Sequence, residues 1–131
     1  MIVVDSSAIV AIVNQEPEAR LFSDRISADS DPLISAATAI ECGVVLMRRA
    51  GDKGREVYER VLASGGVRFA PVEATHVTLA LDAFGLYGKG MGHPAQLNLG
   101  DCFSYALAKS TGAPLLFKGT DFSQTDVLSA L

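Results

Sequence analysis

The sequence predicts an α/β fold: a central, mainly parallel sheet of four to five strands flanked by helices. Three observations predict it. Short β-branched or aliphatic runs alternate with segments of helical periodicity, two of those runs are followed within a few residues by an acid, and 131 residues at 49% hydrophobic content suffice for one core but not two. Residues 1–131 are therefore expected to form one domain.

"MIVVD" is a β-branched run ending in Asp5, and "SSAIVAIVNQEPEAR" continues as a helix up to Pro17, with a second helix beyond it. "DPLISA" is a second strand. From Ala36 to Ala50, Ile40, Val44 and Met47 recur at i, i+4, i+7, the core-facing stripe of an amphipathic helix, and Gly51 ends it. "DKGREVYERVLASGG" is a charged helix closed by Gly65-Gly66, and "VRFAPV" is a third strand. Val77, Ala80, Leu81 and Phe84 form the stripe of a helix over Ala74 to Tyr87. The glycine-rich "GKGMGHPAQ" breaks it and is expected to be a mobile loop. "LNLGDCFSYALAK" begins the next helix, "APLLF" is a fourth strand, "KGTD" turns, and "DVLSAL" is a candidate last strand.

The formal charge of −4 advertises no general nucleic-acid binder, so an anionic substrate needs a metal ion or a local basic patch. No apolar run is long enough to span a bilayer and the start lacks a signal-peptide pattern, so a cytoplasmic protein is expected. Cys42 and Cys102 have no metal-ligand spacing and read as buried, reduced thiols packed behind the site.

The informative residues are acids. Asp5 and Asp121 follow strand-like runs, so a parallel sheet brings both to one edge, while Glu41 and Asp101 come from helices. Asp101 shares a helix face with Ser104, Tyr105 and Ala108, away from the more apolar side made by Phe103, Ala106 and Leu107. Two carboxylates about 4 Å apart repel by roughly 4 kcal/mol at an effective dielectric near 20, a load that a small domain does not carry unneutralised. Oxygen ligands without His or Cys favour Mg²⁺, for which Mn²⁺ can substitute, and such an ion suits phosphodiester hydrolysis. Taken singly, each acid has a plainer reading as a helix cap or solvated residue; convergence is the signal.

Together these stretches, "MIVVDSSAIVAIV", "ISAATAIECGVVL", "GKGMGHPAQLNLGDCFSYALAK" and "PLLFKGTDFSQTDV", resemble the PIN-domain ribonucleases, specifically the VapC-type toxins of toxin–antitoxin pairs. The resemblance covers nearly the whole chain. It implies a PIN-like fold and Mg²⁺-dependent endonucleolytic cleavage of RNA at Asp5, Glu41, Asp101 and Asp121, with Asp5 and Asp101 as direct metal ligands. It further implies a cognate antitoxin that covers the groove, and a toxin homodimer. Ser6 and Thr120, beside Asp5 and Asp121, are expected to support them. Asp126 reads as a turn residue.

RNA also needs cations, and the candidates are Arg48, Arg49, Lys89 and Lys118. His93 before Pro94 reads as a structural turn residue, His76 as ordinary, and Asn98 as the cap of the Asp101 helix. Two other classes compete with the ribonuclease. A phosphoacceptor signalling domain has similar size and acidity, but here Ser6 and Ser7, not further acids, follow Asp5. A non-catalytic interaction module keeping the same fold would show no Mg²⁺-dependent stabilisation.

Overall fold

Ile2, Val3 and Val4 have no solvent exposure. A β-branched run buried on both faces belongs at the centre of a parallel sheet. The computed structural model, which describes all 131 residues, places it there. In chain order the elements are β1 (Ile2–Val4), α1 (Ser6–Val13), α2 (Ala19–Ser27), β2 (Pro32–Ser35), α3 (Ala36–Ser64), β3 (Arg68–Ala70), α4 (Ala74–Tyr87), α5 (Leu99–Thr111) and β4 (Leu115–Leu116), followed by a 3₁₀ turn at Phe122–Gln124. The sheet order is β3-β2-β1-β4, and all three pairings are parallel. The chain winds outward from β1 to β3 and returns to the other side of β1 with β4. The winding thus reverses beside β1, and in such sheets the crevice at the strand C-termini is where ligands bind.

Alternate residues of the strands face two cores. Ile2, Val4, Ile34 and Leu116 pack with α1, α2 and α3, whereas Val3, Leu33 and Leu115 pack with residues of α4 and α5 such as Ala83, Cys102 and Leu107. Helix α5 is buried on most sides, so its polar residues need internal partners.

Helix α3 is two helices, as Gly51 predicts. Gly51 adopts φ 57°, ψ −141°, a conformation open to glycine, and the second half folds back along the first. Tyr58 Oη donates to the Ala39 carbonyl at 2.6 Å, and a Cβ on Gly43 would lie 3.2 Å from the Tyr58 ring.

Three expectations are corrected. The Ile40, Val44, Met47 stripe faces outward, with Ile40 70% exposed; Thr38, Ala39, Cys42 and Leu46 form the core face instead. This stripe, with Tyr58, Leu62 and Phe69, lines an apolar groove between the halves of α3. In α4, likewise, Val77 and Leu81 are exposed and Ala83 is buried. Helical periodicity located these helices but did not say which apolar face meets the sheet. The candidate last strand is reduced to one bridge, Leu115 with Ser129, in which the Leu115 N–H donates to Leu128 O and the Ala130 N–H to Leu115 O. The glycine-rich segment is tied at its base: the Lys89 N–H donates to Leu97 O, the Leu97 N–H to Tyr87 O, and Leu97 is fully buried. His93 secures the turn, its Nδ1 accepting from the Ala95 N–H at 3.0 Å while its ring meets Tyr87 edge-on.

Candidate active site

Asp5 ends the central strand and caps α1, so its position is set by two elements at once. Its Oδ2 accepts from the Ser7 N–H at 3.0 Å and from Ser7 Oγ at 2.6 Å. Its Oδ1 accepts from Ser104 Oγ of α5 at 2.6 Å, and Ser104 Oγ lies 3.3 Å from Thr38 Oγ1 of α3. Asp5 is only 3% exposed and is held by hydroxyls, not by a cation. By lone-pair count Oδ2 is fully engaged and Oδ1 keeps one free acceptor position.

Asp101 sits in the first turn of α5 in a reciprocal cap with Asn98, as expected for Asn98. The Asp101 N–H donates to Asn98 Oδ1 at 2.9 Å and the Asn98 N–H to Asp101 Oδ2 at 3.0 Å, leaving Oδ1 free. Burial pushes its pKa up to about 6, against the lowering effect of the Asn98 N–H, and the negative charges of Asp5, Asp121 and Glu41 add to the rise. The carboxyl groups of all four acids therefore act on one region. Glu41 is also raised, by burial first and by Asp5 second. Its carboxylate lies against the backbone of Gly100, the residue before Asp101. Asp121 opens the 3₁₀ turn on the exposed side of this region without capping it.

None of the four is in an ion pair. Nor do any three acids, imidazoles or thiols close up into a ready-made metal cage. The donor set still suits a hard divalent ion: the lone pairs left free belong to oxygens, no cation competes for them, and Mg²⁺ takes only one or two carboxylates, with waters and substrate completing its shell.

The supporting residues differ from expectation. Ser7, not Ser6, bonds Asp5; Ser6 offers only its carbonyl, 3.9 Å from Cys42 Sγ. The signal for Ser7 was its place two residues after a helix-capping Asp, where the N–H and hydroxyl both reach the carboxylate. Thr120 makes no hydrogen bond to Asp121, and its carbonyl accepts from Ser123 Oγ at 2.5 Å. Asp126 ties the C-terminal segment to α5, accepting from Tyr105 Oη at 2.7 Å and Lys109 Nζ at 3.0 Å. His76, expected to be ordinary, is buried and joins α4 to α5 through Ser110 Oγ at 3.0 Å. Burial pushes the Cys42 thiol up to about 12, which keeps it protonated and inert.

Of the four candidate cations, Lys118 is engaged: its Nζ pairs with Glu16, and with Glu18 at 3.1 Å. Arg48, Arg49 and Lys89 are exposed, and they are the three of the eleven lysines and arginines that no carboxylate neutralises. Arg48 is seven residues beyond Glu41, so it shares that helix face about 10 Å along α3.

The PIN domain family model matches residues 2–128. The chain is 41% identical over 128 residues to the VapC ribonuclease Mb2780c of Mycobacterium bovis, spanning 98% of each chain. It is 43% identical over 125 residues to Ribonuclease VapC of Mycolicibacterium smegmatis, spanning 95% of this chain and 96% of that one. Among solved structures, the crystal structure of Mycobacterium tuberculosis VapC20, described as a sarcin-ricin loop cleaving toxin, superposes with a TM-score of 0.78 at 19% identity, over 98% of this chain and 97% of the other. At that identity the superposition speaks for the fold alone. With a parallel sheet that carries Asp5 at its winding reversal and a near-complete sequence match, the chain belongs to the PIN-domain family, among the VapC ribonucleases.

Proposed function

We propose that this protein is a Mg²⁺-dependent endoribonuclease, the toxin of a type II toxin–antitoxin pair, acting as one domain in the cytoplasm. The observation that carries the reading is the group of four carboxylates, two of them raised in pKa, without one cation among them. Asp5 and Asp101 would hold the ion with the oxygen positions their hydrogen bonds leave free, and Glu41 and Asp121 would complete the site. When bound there, a divalent ion lowers the pKa of an attacking water and stabilises charge on the leaving oxygen.

The chain's own residues supply the rest. Ser7 and Ser104 hold the Asp5 carboxylate in place, and the Asn98 cap fixes the rotamer of Asp101. Arg48, Arg49 and Lys89 attract and orient the RNA backbone against the net charge of −4. Glu41, whose pKa is raised, would accept a proton from the attacking water. A cognate antitoxin would silence the enzyme by covering this edge, and a homodimer is the expected assembly. No helix is long and apolar enough to cross a membrane.

The test is cleavage of single-stranded RNA with Mg²⁺, with chelator, and with Asp101→Asn. Loss of activity in both controls is expected; activity that survives both overturns the reading. A non-catalytic module would cleave nothing and would gain no thermal stability from Mg²⁺.

A further inference from the structure

Twelve glycines occur in the chain, and six of them adopt positive φ, where the backbone itself demands glycine. Gly100 is not among them. It lies in the regular first turn of α5, where alanine is the better helix former, so its backbone gives no reason for glycine. The reason is space. A Cβ built at Gly100 would fall on the carboxylate oxygens of Glu41 and 2.6 Å from its Cδ. Nothing else is among the three nearest atoms.

Glu41 reaches this seat from α3, on the far side of the crevice. The residue as a whole is exposed, but its carboxylate end is tucked against α5, one residue from Asp101. No hydrogen bond or ion pair fixes that carboxylate, unlike those of Asp5 and Asp101. Contact with the bare Cα of Gly100 is therefore what sets its distance from the other acids. We infer that Gly100 is a positioning residue: its missing side chain admits the Glu41 carboxylate to the acidic site, and any side chain there would expel it. The inference rests on the metal-dependent reading above and deepens it, because it names what seats the one acid of the four that comes from α3.

The atom in the way is the far end of a flexible side chain, so Glu41 can swing outward and Gly100→Ala will fold. This separates positioning from structure. The experiment compares wild type and Gly100→Ala by Mg²⁺ titration, followed by thermal unfolding and calorimetry, together with a crystal structure of the metal-free variant. Gly100→Ala is expected to melt at or above the wild-type temperature without metal, to bind Mg²⁺ about tenfold more weakly, and to show the Glu41 carboxylate off its seat. A Mg²⁺ Kd within about twofold of wild type, or a Glu41 carboxylate that has not moved, overturns the inference and leaves the ribonuclease reading standing. A wild type that itself does not respond to Mg²⁺ overturns both.

Discussion

Two acid-rich regions of this molecule treat their charge in opposite ways. Along the second half of α3, Glu56 and Glu59 stand one helical turn from cations: Arg60 reaches Glu56 at 2.8 Å, Arg55 reaches Glu59 at 2.7 Å, and Lys53 adds a longer contact to Glu56 at 3.7 Å. At the C-terminal edge of the sheet, Asp5, Glu41, Asp101 and Asp121 come from four separate segments and meet no cation. A helix neutralises acids through neighbours three and four residues away, whereas acids assembled by the fold have only the partners the fold supplies. Here the fold supplies hydroxyls to Asp5 and a backbone N–H to Asp101, and leaves the charge unbalanced. Stability would favour neutralisation, and the metal-dependent function proposed above gives these unpaired acids a use.

The comparison can be broken at either region. The largest effect is expected from Asp101→Asn, which keeps the shape of the cap but removes a charge: RNA cleavage with Mg²⁺ should fall by roughly 10³-fold. Retained turnover in a gel or fluorogenic assay would show that Asp101 is only a cap. Next comes Ser104→Ala, which takes from buried Asp5 one of its donors. It should lower stability by about 1–3 kcal/mol in urea unfolding and weaken Mg²⁺ binding by roughly 10-fold or more; a change in stability without a change in Kd would make Ser104 purely structural.

A smaller effect of opposite sign tests the unbalanced charge itself. The folded-state pKa of Asp101, about 6, stands above its ordinary 3.8, so between these values the folded protein holds a proton the unfolded chain has released. That contribution is fully present below about pH 4 and lost as the pH rises through about 6. Metal-free protein should therefore lose stability over this window, and Asp101→Asn should flatten the loss, being more stable than wild type at pH 7.5 by about 1–2 kcal/mol after allowance for partial exposure. An unchanged pH profile in the variant would refute the assignment. The smallest effect belongs to the paired region: Glu59→Gln should cost about 0.3–0.5 kcal/mol, shrink with added salt, and leave RNA cleavage unaltered.

Several features were legible because they follow from short-range rules. The β-branched run before Asp5, the break at Gly51, the Asn98 cap three residues before Asp101 and the parallel alternation of strands and helices all depend on neighbouring residues, and the structure has each of them. The remaining differences have separate causes. Ile40, Val44 and Met47 have the right spacing for a helix and the wrong orientation for the core, because helical periodicity defines a face without saying what covers it. The resemblance points to Ser6 beside Asp5, but the geometry of a helix cap brings the second residue, Ser7, back to the capping side chain. Lys118 lies close to Asp121 in sequence, but its Nζ pairs with Glu16 and Glu18, about a hundred residues earlier in the chain.

The sequence by itself determined the elements, their order and which acids were available, since propensity, capping and period are written in residues a few positions apart. Only the tertiary structure decided which acids would face one another without a cation, which lysine would be consumed by an ion pair, and that a glycine in α5 would make room for a glutamate from α3. Those outcomes depend on side chains brought together across 59 and more residues, in the contact of Glu41 with Gly100 and the bond from Ser104 to Asp5. Their desolvation and mutual repulsion arise only once the chain has closed around them.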